Sequence, residues 1–559
     1  EEIYDLLLTK ASEDFDWSEI SPTIFGAVFE STLNPETRRK GGMHYTSIEN
    51  IHKVIDPLFL DALRAEFAEI KAIAVDRTRK QKLVAFQDKL ASLTFLDPAA
   101  GSGNFLTETY LCLRRLENEV ISTLTGGQIM LGIVHNPIKV SITQFYGIEI
   151  NDFAVTVAKT ALWIAESQMM KETEDIVHFH IDPLPLKTQA NIVEGNALRL
   201  DWNDVVDKAK LNYIMGNPPF VGARLMSATQ KDDVLSIFGA KWQNVGNLDY
   251  VTCWYKKTAD MMQGTQIRAA LVSTNSVTQG EAVANLWKPL MEGGVHIDFA
   301  HRTFRWDSEA SIKAHVHCVI VGFSTAPSEK KKIIFDGDNS RIVQNINGYL
   351  VDADSVFVES LSKPISDVPG IVIGSQPIDD GNYLFDKESM DEFIKTEPAS
   401  STYFHEWYGS REFINRSPRY CLYLGDCSPA ALRKMPECLK RVEAVRNFRL
   451  SSNRASTKKA AETPYRFGMT TIPESDYIIV PKVSSERRRY IPMGFMTPDV
   501  LCSDLVFLIP DATLYHFGIL QSNIHMAWMR TVCGRLKSDY RYSKDIVYNN
   551  FPWPTPTEA

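Results

Sequence analysis

Seven short apolar runs alternate with helix-like segments between Leu93 and Phe323, and this alternation limits the possible folds more than any other feature of the chain. The runs are LTFLDPA, FYGIEI, ANIVEG, YIMGNPP, IRAALVST, VHIDFAHR and HVHCVIVGF. Strands of this length separated by helices are typical of βα units on a parallel sheet. We therefore predict an α/β fold with a Rossmann-like, mostly parallel sheet, and we expect HVHCVIVGF to add an antiparallel strand at its edge.

Different patterns flank this region on both sides. Residues 1–35 look helical and end in the loop NPETRRKGG. HYTSIENIHKVIDPLFLDALRAEF begins with capping Thr and Ser residues and repeats its apolar residues at helical spacing, and the charged stretch through KQKLVAFQDKL continues that pattern. After STAPSEKKK the chain has short β-like runs, Pro and Gly punctuation and clustered arginines, which indicate a separate mixed α+β domain.

The composition excludes several classes of protein. Of the 559 residues, 44% are hydrophobic and 23% are charged, as in a globular chain of several domains. No apolar stretch approaches the roughly 20 residues of a membrane span, and EEIYDLLLTK lacks signal-peptide features, so we expect no membrane contact. The chain has no starting Met, so we expect a trimmed chain. Its eight cysteines lack a C-x-x-C pair and no histidine spacing fits a zinc enzyme, so we predict a cytoplasmic protein without a metal site.

The net charge of −9 argues against nucleic acid as a partner only if the charge is spread evenly. Residues 401–559 hold 22 Lys/Arg and 15 Asp/Glu, a net charge of +7, whereas the first 400 residues hold 38 and 54, a net charge of −16. The C-terminal part can therefore face phosphates.

Three strand ends carry residues suited to a nucleotide-like ligand. DPAAGSGNF, residues 97–105, joins the first strand to a helix, and its glycines allow a sharp turn and a close backbone approach. It fits neither the dinucleotide fingerprint nor the P-loop. Glu149 ends the second strand, where α/β folds hold ribose hydroxyls, and Asn196 follows the third, where its amide can read an adenine edge.

The motif Asn217-Pro218-Pro219-Phe220 follows the fourth strand. Its prolines stiffen the turn so that Asn217 Oδ1 and the Pro218 carbonyl can face one target as acceptors, while Phe220 offers a stacking face. Two acceptors on the N–H groups of a planar amine favour a pyramidal nitrogen and stabilise the positive charge that develops as it attacks a sulfonium methyl. The sequence thus predicts methylation of a planar exocyclic amine.

Together, these motifs resemble the class I S-adenosylmethionine (SAM)-dependent amino-methyltransferases of DNA, in the N6-adenine branch. HYTS at 44–47 is similar to the cofactor motif that precedes the glycine motif in the γ arrangement. Segments such as SPTIFGAVFEST, VSTNSVTQGE, FAHRTFRW and GRLKSDYRYS resemble the MmeI-type (type IIL/IIG) restriction-modification enzymes over nearly the whole chain.

The resemblance implies SAM as the cofactor, no metal for methyl transfer, and an adenine flipped out of double-stranded DNA, since its amine is held inside the duplex. The implied cofactor-binding residues are Tyr45, Thr46, Asp97, Ala99, Gly101, Gly103, Asn104, Phe105, Glu149, Ile150, Asn196 and Ala197. The implied catalytic residues are Asn217, Pro218, Pro219, Phe220 and the second stacking aromatic, Phe304.

The resemblance also implies a domain plan: the end of a helical spacer at 1–35, a methyltransferase domain at 36–335 and a DNA target-recognition domain at 336–559. MmeI-type enzymes carry a nuclease before the spacer, so we expect one in cis in a longer, monomeric protein. Two E-x-K sequences, at 69–71 and 329–331, lie in a predicted helix and a linker, so we predict no DNA cleavage by these residues.

Two groups of residues are predicted to contact DNA. VRNFRLSSNR has the composition of a phosphate-holding surface, with Arg446, Arg449, Ser451, Ser452 and Arg454. The resemblance places base readers at Lys482, Asp504, Lys537 and Asp539, with Arg535 and Arg541 beside them. Lys donates to guanine and Asp accepts from cytosine, so each Lys/Asp couple is predicted to specify a G·C pair.

Three other functions stay open on the sequence. Protein glutamine methyltransferases share an N-P-P-aromatic site, although they do not need the basic C-terminal domain. A DNA-binding module without catalysis and a cytosine-N4 methyltransferase are the others. The intact NPPF motif argues against the module, and the family resemblance of Asn217 favours adenine over cytosine.

Overall fold

The computed structural model describes residues 46–125, 136–181, 190–240, 242–306, 316–326 and 331–555. The predicted spacer helix at 1–35 and the cofactor candidate Tyr45 lie outside these residues. The chain divides into two compact units, one of Glu1–Thr278 with Ala282–Phe357 and one of Gln279–Glu281 with Val358–Ala559.

From residue 46 onward, three helices precede the first strand: α1 (Ile48–Ile55), α2 (Asp61–Lys71) and α3 (Asp76–Ser92), with a π-helical turn at Asp56–Leu60 between the first two. Ser47 caps α1, because its hydroxyl accepts a hydrogen bond from the Asn50 N–H. The predicted helices in this region are confirmed, and the Glu69–Lys71 triplet lies on a helix, as predicted.

The first unit is built on a nine-stranded sheet in the order β3-β2-β1-β4-β5-β7-β6-β8-β9. Its strands are β1 (Phe95–Asp97), β2 (Phe145–Glu149), β3 (Asn191–Glu194), β4 (Tyr213–Gly216), β5 (Arg268–Thr274), β6 (His296–Trp306), β7 (Val316–Ser324), β8 (Lys332–Asp336) and β9 (Asn339–Val343). The first five strands in sequence pair in parallel. All seven apolar runs are strands, and the predicted mostly parallel α/β sheet is confirmed.

The expected position of HVHCVIVGF at the sheet edge is wrong. Its strand, β7, is antiparallel as predicted, but it lies between β5 and β6 and pairs with both. Val319, Ile320 and Val321 are fully buried there. An edge position would leave one row of backbone N–H and C=O groups unpaired, so a strand this apolar is more stable inside the sheet.

Five helices accompany the strands: α4 (Asn104–Thr125), α5 (Asp152–Val177), α6 (Ala228–Phe238), α7 (Thr252–Met262) and α8 (Lys288–Glu292). Aromatic rings join the early helices to the sheet. Phe59 lies 5.1 Å from Phe95, and Phe95 stacks on Phe145 at 5.2 Å between ring centroids. Rings at these distances add to the stabilisation from burial alone.

The predicted domain boundary at 335/336 falls inside β8 and differs from the structural division. β8 pairs with β6, and the hairpin β8–β9 completes the nine-stranded sheet, so the first unit continues to Phe357. The polar segment before β8 resembles a linker in composition, but it leads to one more hairpin of the same sheet.

The second unit contains three small sheets, in the orders β10-β18-β14-β16, β11-β13-β12-β17 and β15-β20-β19. Its strands are β10 (Val372–Ile373), β11 (Leu384–Phe385), β12 (Phe404–Tyr408), β13 (Arg419–Leu422), β14 (Tyr477–Pro481), β15 (Val483–Ser484), β16 (Gly494–Met496), β17 (Leu501–Cys502), β18 (Val506–Pro510), β19 (Gly534–Leu536) and β20 (Asp539–Arg541). Its helices are α9 (Lys387–Thr396), α10 (Ser410–Asn415), α11 (Pro429–Leu432), α12 (Pro436–Leu450), α13 (Ala455–Lys459), α14 (Leu514–Leu520) and α15 (Asn523–Val532). The predicted mixed α+β character is confirmed.

All eight cysteines are buried and free. Among the described residues, no helix is both long enough and apolar enough to cross a membrane.

Candidate active site at the carboxyl ends of the strands

The strand order reverses at β1, whose two neighbours are β2 and β4. Ligands of open α/β sheets bind in the crevice at such a reversal, beyond the carboxyl ends of the strands. Asp97 ends β1 and Gly216 ends β4, and the two positions touch: a Cβ added to Gly216 would lie 2.4 Å from Asp97 Oδ1. A side chain at position 216 would therefore collide with Asp97, so only glycine fits there.

The glycine loop after β1 is fixed on three sides. Asp97 Oδ1 accepts from the Ala99 N–H at 3.0 Å, and Trp254 Nε1 donates to the Pro98 carbonyl at 3.1 Å. Gly103 has φ +81°, and a Cβ there would lie 2.8 Å from the Ala158 Cβ. The loop thus has one shape, set by Asp97 below it, by Trp254 on α7 and by α5.

Glu149 ties the end of β2 to this loop. Its carboxylate accepts hydrogen bonds from the Gly101 N–H at 2.9 Å and from the Asn151 N–H at 3.0 Å. Burial raises its pKa. A carboxylate has about four acceptor positions, so Glu149 keeps capacity for hydroxyl groups of a ligand. Next to it, Ile150 is 67% exposed and offers an apolar surface.

Asp97 is the most strongly perturbed acid of the crevice. Its pKa is raised to about 7, mainly by burial; the hydrogen bond from the Ala99 N–H opposes this shift, and the nearby charge of Glu149 adds to it. A buried carboxylate of this kind is stabilised by a cationic ligand. A perturbed acid in a crevice is also a marker of functional sites.

Asn196, after β3, shapes its own turn. Its Oδ1 accepts from the Leu198 N–H at 2.9 Å, and its Nδ2 donates to Asp233 at 3.4 Å. Asp233 is buried and also accepts from the Tyr250 hydroxyl at 2.8 Å. The adjacent Ala197 uses its carbonyl to accept from Trp202 Nε1 at 2.8 Å. Asp233 was not predictable from the sequence, because it lies in a helix with no motif of its own.

The amide of Asn217 is oriented by Thr46. Asn217 Nδ2 donates to Thr46 Oγ1 at 3.1 Å, and Thr46 is buried just before the cap of α1. In this contact the Nδ2 side of the amide faces Thr46 and the Oδ1 side points away from it. Thr46 of the HYTS segment thus contacts the N-P-P-F motif from 171 residues away in sequence, and its role in cofactor binding stays a prediction.

Another carboxylate, the partly buried Asp249, holds the segment that follows Phe220. It accepts from the Val221 N–H at 3.1 Å, from the Val251 N–H at 3.2 Å and from the Thr274 hydroxyl at 3.3 Å. In the other direction, the Tyr250 N–H donates to the Val221 carbonyl at 3.0 Å. Burial raises the pKa of Asp249. The role of Asp249 was not predictable from the sequence, although NLDY lies just before α7.

Two aromatic candidates have different surroundings. Phe304 lies on β6, just after an irregularity in its pairing with β7, and the Lys53 ammonium lies 5.2 Å from its ring centroid. Its assignment as a stacking residue stays a prediction. Phe105 is only 3% exposed within the hydrophobic core of the first unit, and its assignment to cofactor binding stays a prediction.

In the second unit, the assignment of Arg449 to DNA binding is wrong. Its side chain is fully buried and donates to the carbonyls of Ile378, Pro377, Ala460 and Arg466 at 2.7–2.9 Å. These bonds join α12 to two loops. Arg446, Ser451 and Arg454 are exposed around the end of α12 and Ser452 is partly exposed, so these four keep their predicted role.

The small sheet β15-β20-β19 gathers most of the predicted base readers. The Tyr542 N–H donates to the Lys482 carbonyl at 2.8 Å, which places Lys482 beside the end of β20. Burial lowers the pKa of Lys482, and the nearby Asp504 opposes that shift. Lys537 is exposed in the turn between β19 and β20 at φ +59°, and Asp539 begins β20.

The flanking arginines have separate environments. Arg535 donates to the Ser538 carbonyl at 2.9 Å, and its guanidinium lies 4.2 Å from the ring centroid of Tyr540. Arg541 pairs in register with Val483 and is exposed. The structure thus brings positions 482 and 535–541 to one small sheet.

A glycine loop after β1, an acid at the end of β2 and N-P-P-F after β4 on this sheet order define a class I methyltransferase fold. The models of the MmeI DNA-methyltransferase domain and the MmeI target recognition domain match residues 73–336 and 352–555, respectively. The type IIL restriction-modification enzyme MmeI, solved in complex with DNA, is 45% identical with a TM-score of 0.90, over 97% of this chain and 72% of that one. The chain belongs to the MmeI family.

A curated relative supports the same assignment. DNA methyltransferase A of Bacillus subtilis (strain 168) is 41% identical over 551 residues, which are 98% of this chain. The chain spans 62% of the length of that relative.

Proposed function

We propose that this protein methylates N6 of adenine at a specific site in double-stranded DNA, as the modification and recognition part of a restriction-modification enzyme. The observation that carries the proposal is the contact of Asn217 with Thr46, which orients an amide oxygen at the end of β4, beside the crevice at Asp97. Membership of the MmeI family supports DNA as the substrate. The choice of adenine as the methylated base is the more specific part of the proposal.

The crevice residues fit SAM, which when bound supplies an electrophilic sulfonium methyl group. Buried carboxylates suit a cation, and Asp97 is the strongest candidate because burial raises its pKa to about 7. Glu149 retains acceptor capacity for ribose hydroxyls, and the exposed Ile150 offers a face for an adenine ring. Gly101 has no atom within 4 Å of an added Cβ position and so leaves room for a ligand to approach the backbone.

The catalytic residues act by positioning an amine and stabilising charge on it. Asn217 Oδ1 and the Pro218 carbonyl accept from the two N–H groups of the target amine, which localises its lone pair on nitrogen. The nitrogen becomes positively charged as it forms its bond to carbon, and the same two acceptors stabilise that charge. The extra proton leaves to water after transfer, so no strong base is required. Phe220, with Phe304, stacks on the flipped base.

The second unit is proposed to hold and read the duplex. The exposed residues Arg446, Ser451, Ser452 and Arg454 at the end of α12 hold phosphates. Lys537/Asp539, on the small sheet, and Lys482/Asp504, at its edge, each specify a G·C pair. In the full-length protein, we further propose a nuclease in cis.

Methylation of plasmid DNA by the purified chain with SAM, followed by modification-sensitive sequencing, tests the proposal and reports base, site and strand together. Asn217→Ala is expected to lower kcat at least about 100-fold, the usual cost of losing one positioned group at a developing charge. Methylated cytosine, or transfer to protein glutamine instead of DNA, would contradict the adenine assignment.

Thr46 provides a matched pair of variants for the amide orientation. Thr46→Ser keeps the hydroxyl that accepts from Asn217 Nδ2 and is expected to retain activity. Thr46→Val has nearly the same shape but lacks the acceptor, so the amide is free to turn and kcat falls. Equal activity of the two variants would show that the contact does not set the amide orientation.

A further inference from the structure

Three side chains with metal-binding atoms meet between α1 and α4, apart from the methyltransferase motifs. They are His52 on α1 and Glu108 and Cys112 on α4, one helical turn apart, and their ligand atoms all lie within 4.8 Å of one another. Glu108 and Cys112 are buried, and His52 is partly exposed, so the cluster opens to solvent on the α1 side.

Both ring nitrogens of His52 face carboxylates. Nδ1 lies 2.9 Å from Asp56 Oδ1, and Nε2 lies 3.3 Å from Glu108 Oε1. A neutral imidazole has one N–H to donate, so a lone pair would face the second oxygen unless a proton or another cation lies between them. The contact to Asp56 is a good hydrogen bond, whereas the contact to Glu108 is longer than charge-assisted bonds usually are.

The longer distances match the edges of a tetrahedral zinc site. Bonds of about 2.0 Å to nitrogen and oxygen and about 2.3 Å to sulfur place neighbouring ligands roughly 3.3 Å (N to O) and 3.5 Å (O to S) apart. Glu108 Oε1 lies 3.3 Å from His52 Nε2 and 3.6 Å from Cys112 Sγ. All three ligand atoms lie within 4.8 Å of one another, so small side-chain movements bring them to one ion.

We propose that His52 Nε2, Glu108 Oε1 and Cys112 Sγ bind a Zn²⁺ ion, with water as the fourth ligand and Asp56 orienting the imidazole. A carboxylate on the far nitrogen of a ligating histidine is the usual outer partner in zinc sites. Glu108 and the Cys112 thiolate neutralise the two charges of the ion, and a site of nitrogen, oxygen and sulfur donors selects zinc over hard cations.

Binding requires the Cys112 thiol to lose its proton. Zinc forms its bond to sulfur as the S–H bond breaks, and the proton passes to the buffer. Affinity is therefore expected to rise with pH.

The ion would connect two parts of the active site. α1 begins directly after Thr46, which orients Asn217, and α4 begins directly after the glycine loop. A zinc ion between these helices would brace the Thr46 segment against the loop. Its role is structural, and no step of methyl transfer passes through it.

Titration of the chelator-treated protein with Co²⁺ tests the site, because cobalt bound to a thiolate gives a charge-transfer band that cobalt bound to surface histidines does not. We expect about one Co²⁺ per chain with this band, and a thermal stability that increases with the logarithm of free Zn²⁺. Cys112→Ala is expected to lose the band. Cys318→Ala, which removes another buried thiol, is expected to keep it.

Two further variants separate loss of the site from loss of the fold. His52→Gln, at a partly exposed position, is expected to fold and to lose stabilisation by Zn²⁺. Asp56→Asn is expected to weaken Zn²⁺ binding about 10- to 100-fold while keeping the band at saturation. Absence of the band in the folded wild type, or an unchanged band in Cys112→Ala, would overturn the proposal.

Discussion

Asp97→Asn should make the protein more stable and the cofactor site weaker at the same time. Burial and the charge of Glu149 raise the pKa of Asp97 from 3.8 to about 7 in the folded protein. At 1.36 kcal/mol per pKa unit, the ionised carboxylate destabilises the ligand-free fold by about 4 kcal/mol above pH 7. Asparagine has the same shape and can still accept from the Ala99 N–H.

The contribution of Asp97 to the free energy of unfolding depends on pH. Between about pH 4 and pH 7 the folded protein keeps a proton on Asp97 that the unfolded chain has lost, so the free energy of unfolding falls as pH rises through this window. Asp97→Asn removes that slope. The variant should match the wild type near pH 4 and exceed its stability by up to about 4 kcal/mol above pH 7.

Denaturant unfolding at several pH values, with and without SAM, measures both effects. SAM should stabilise the wild type more than Asp97→Asn, because the variant lacks the charge that favours a cation, and wild-type affinity should rise with pH through about 7. Asp201→Asn, at an exposed position, serves as the control. A variant that is less stable than the wild type at every pH would refute the inference that burial destabilises this carboxylate.

Three other perturbations test separate parts of the molecule. Asp249→Ala leaves the buried N–H groups of Val221 and Val251 without their acceptor, so it should lower the free energy of unfolding by about 2–6 kcal/mol. It should also lower kcat with little change in SAM affinity, and Asp249→Asn should retain much of the activity. Arg449→Met should destabilise the second unit by at least about 3 kcal/mol in denaturant unfolding. Arg454→Ala should leave stability unchanged and reduce, by about one unit, the slope of the logarithm of the DNA-binding constant against the logarithm of salt concentration. Lys537→Ala should relax specificity at one G·C position in a survey of methylated sites, and full retention of that base would contradict its reading role.

The sequence was sufficient to predict the strands, because each apolar run is local and needs only its own length and flanks. The order of strands was harder to predict. β7 enters between β5 and β6, and β8 and β9 extend the sheet past a polar segment, since both arrangements depend on pairings between distant residues.

In the candidate site, too, the residues marked by a local sequence pattern were predictable and the others were not. Asp97, Glu149 and Asn217 were predictable because each follows a recognisable strand. Asp233 and Asp249 have no motif and are identified only by their burial and hydrogen bonds. Arg449 was misassigned because a count of charges cannot distinguish an exposed guanidinium from one that is buried against carbonyl groups.

The first turn of α7 and the residues just before it contact both loops of the active site. Trp254 holds the glycine loop through the Pro98 carbonyl, while Asp249 and Tyr250 hold the segment after Phe220 through Val221. A ligand that orders either loop therefore lowers the cost of ordering the other. Under the proposed function, the two substrates should bind cooperatively, and thermodynamic reciprocity requires that bound cofactor tighten DNA binding by the same factor by which DNA tightens cofactor binding.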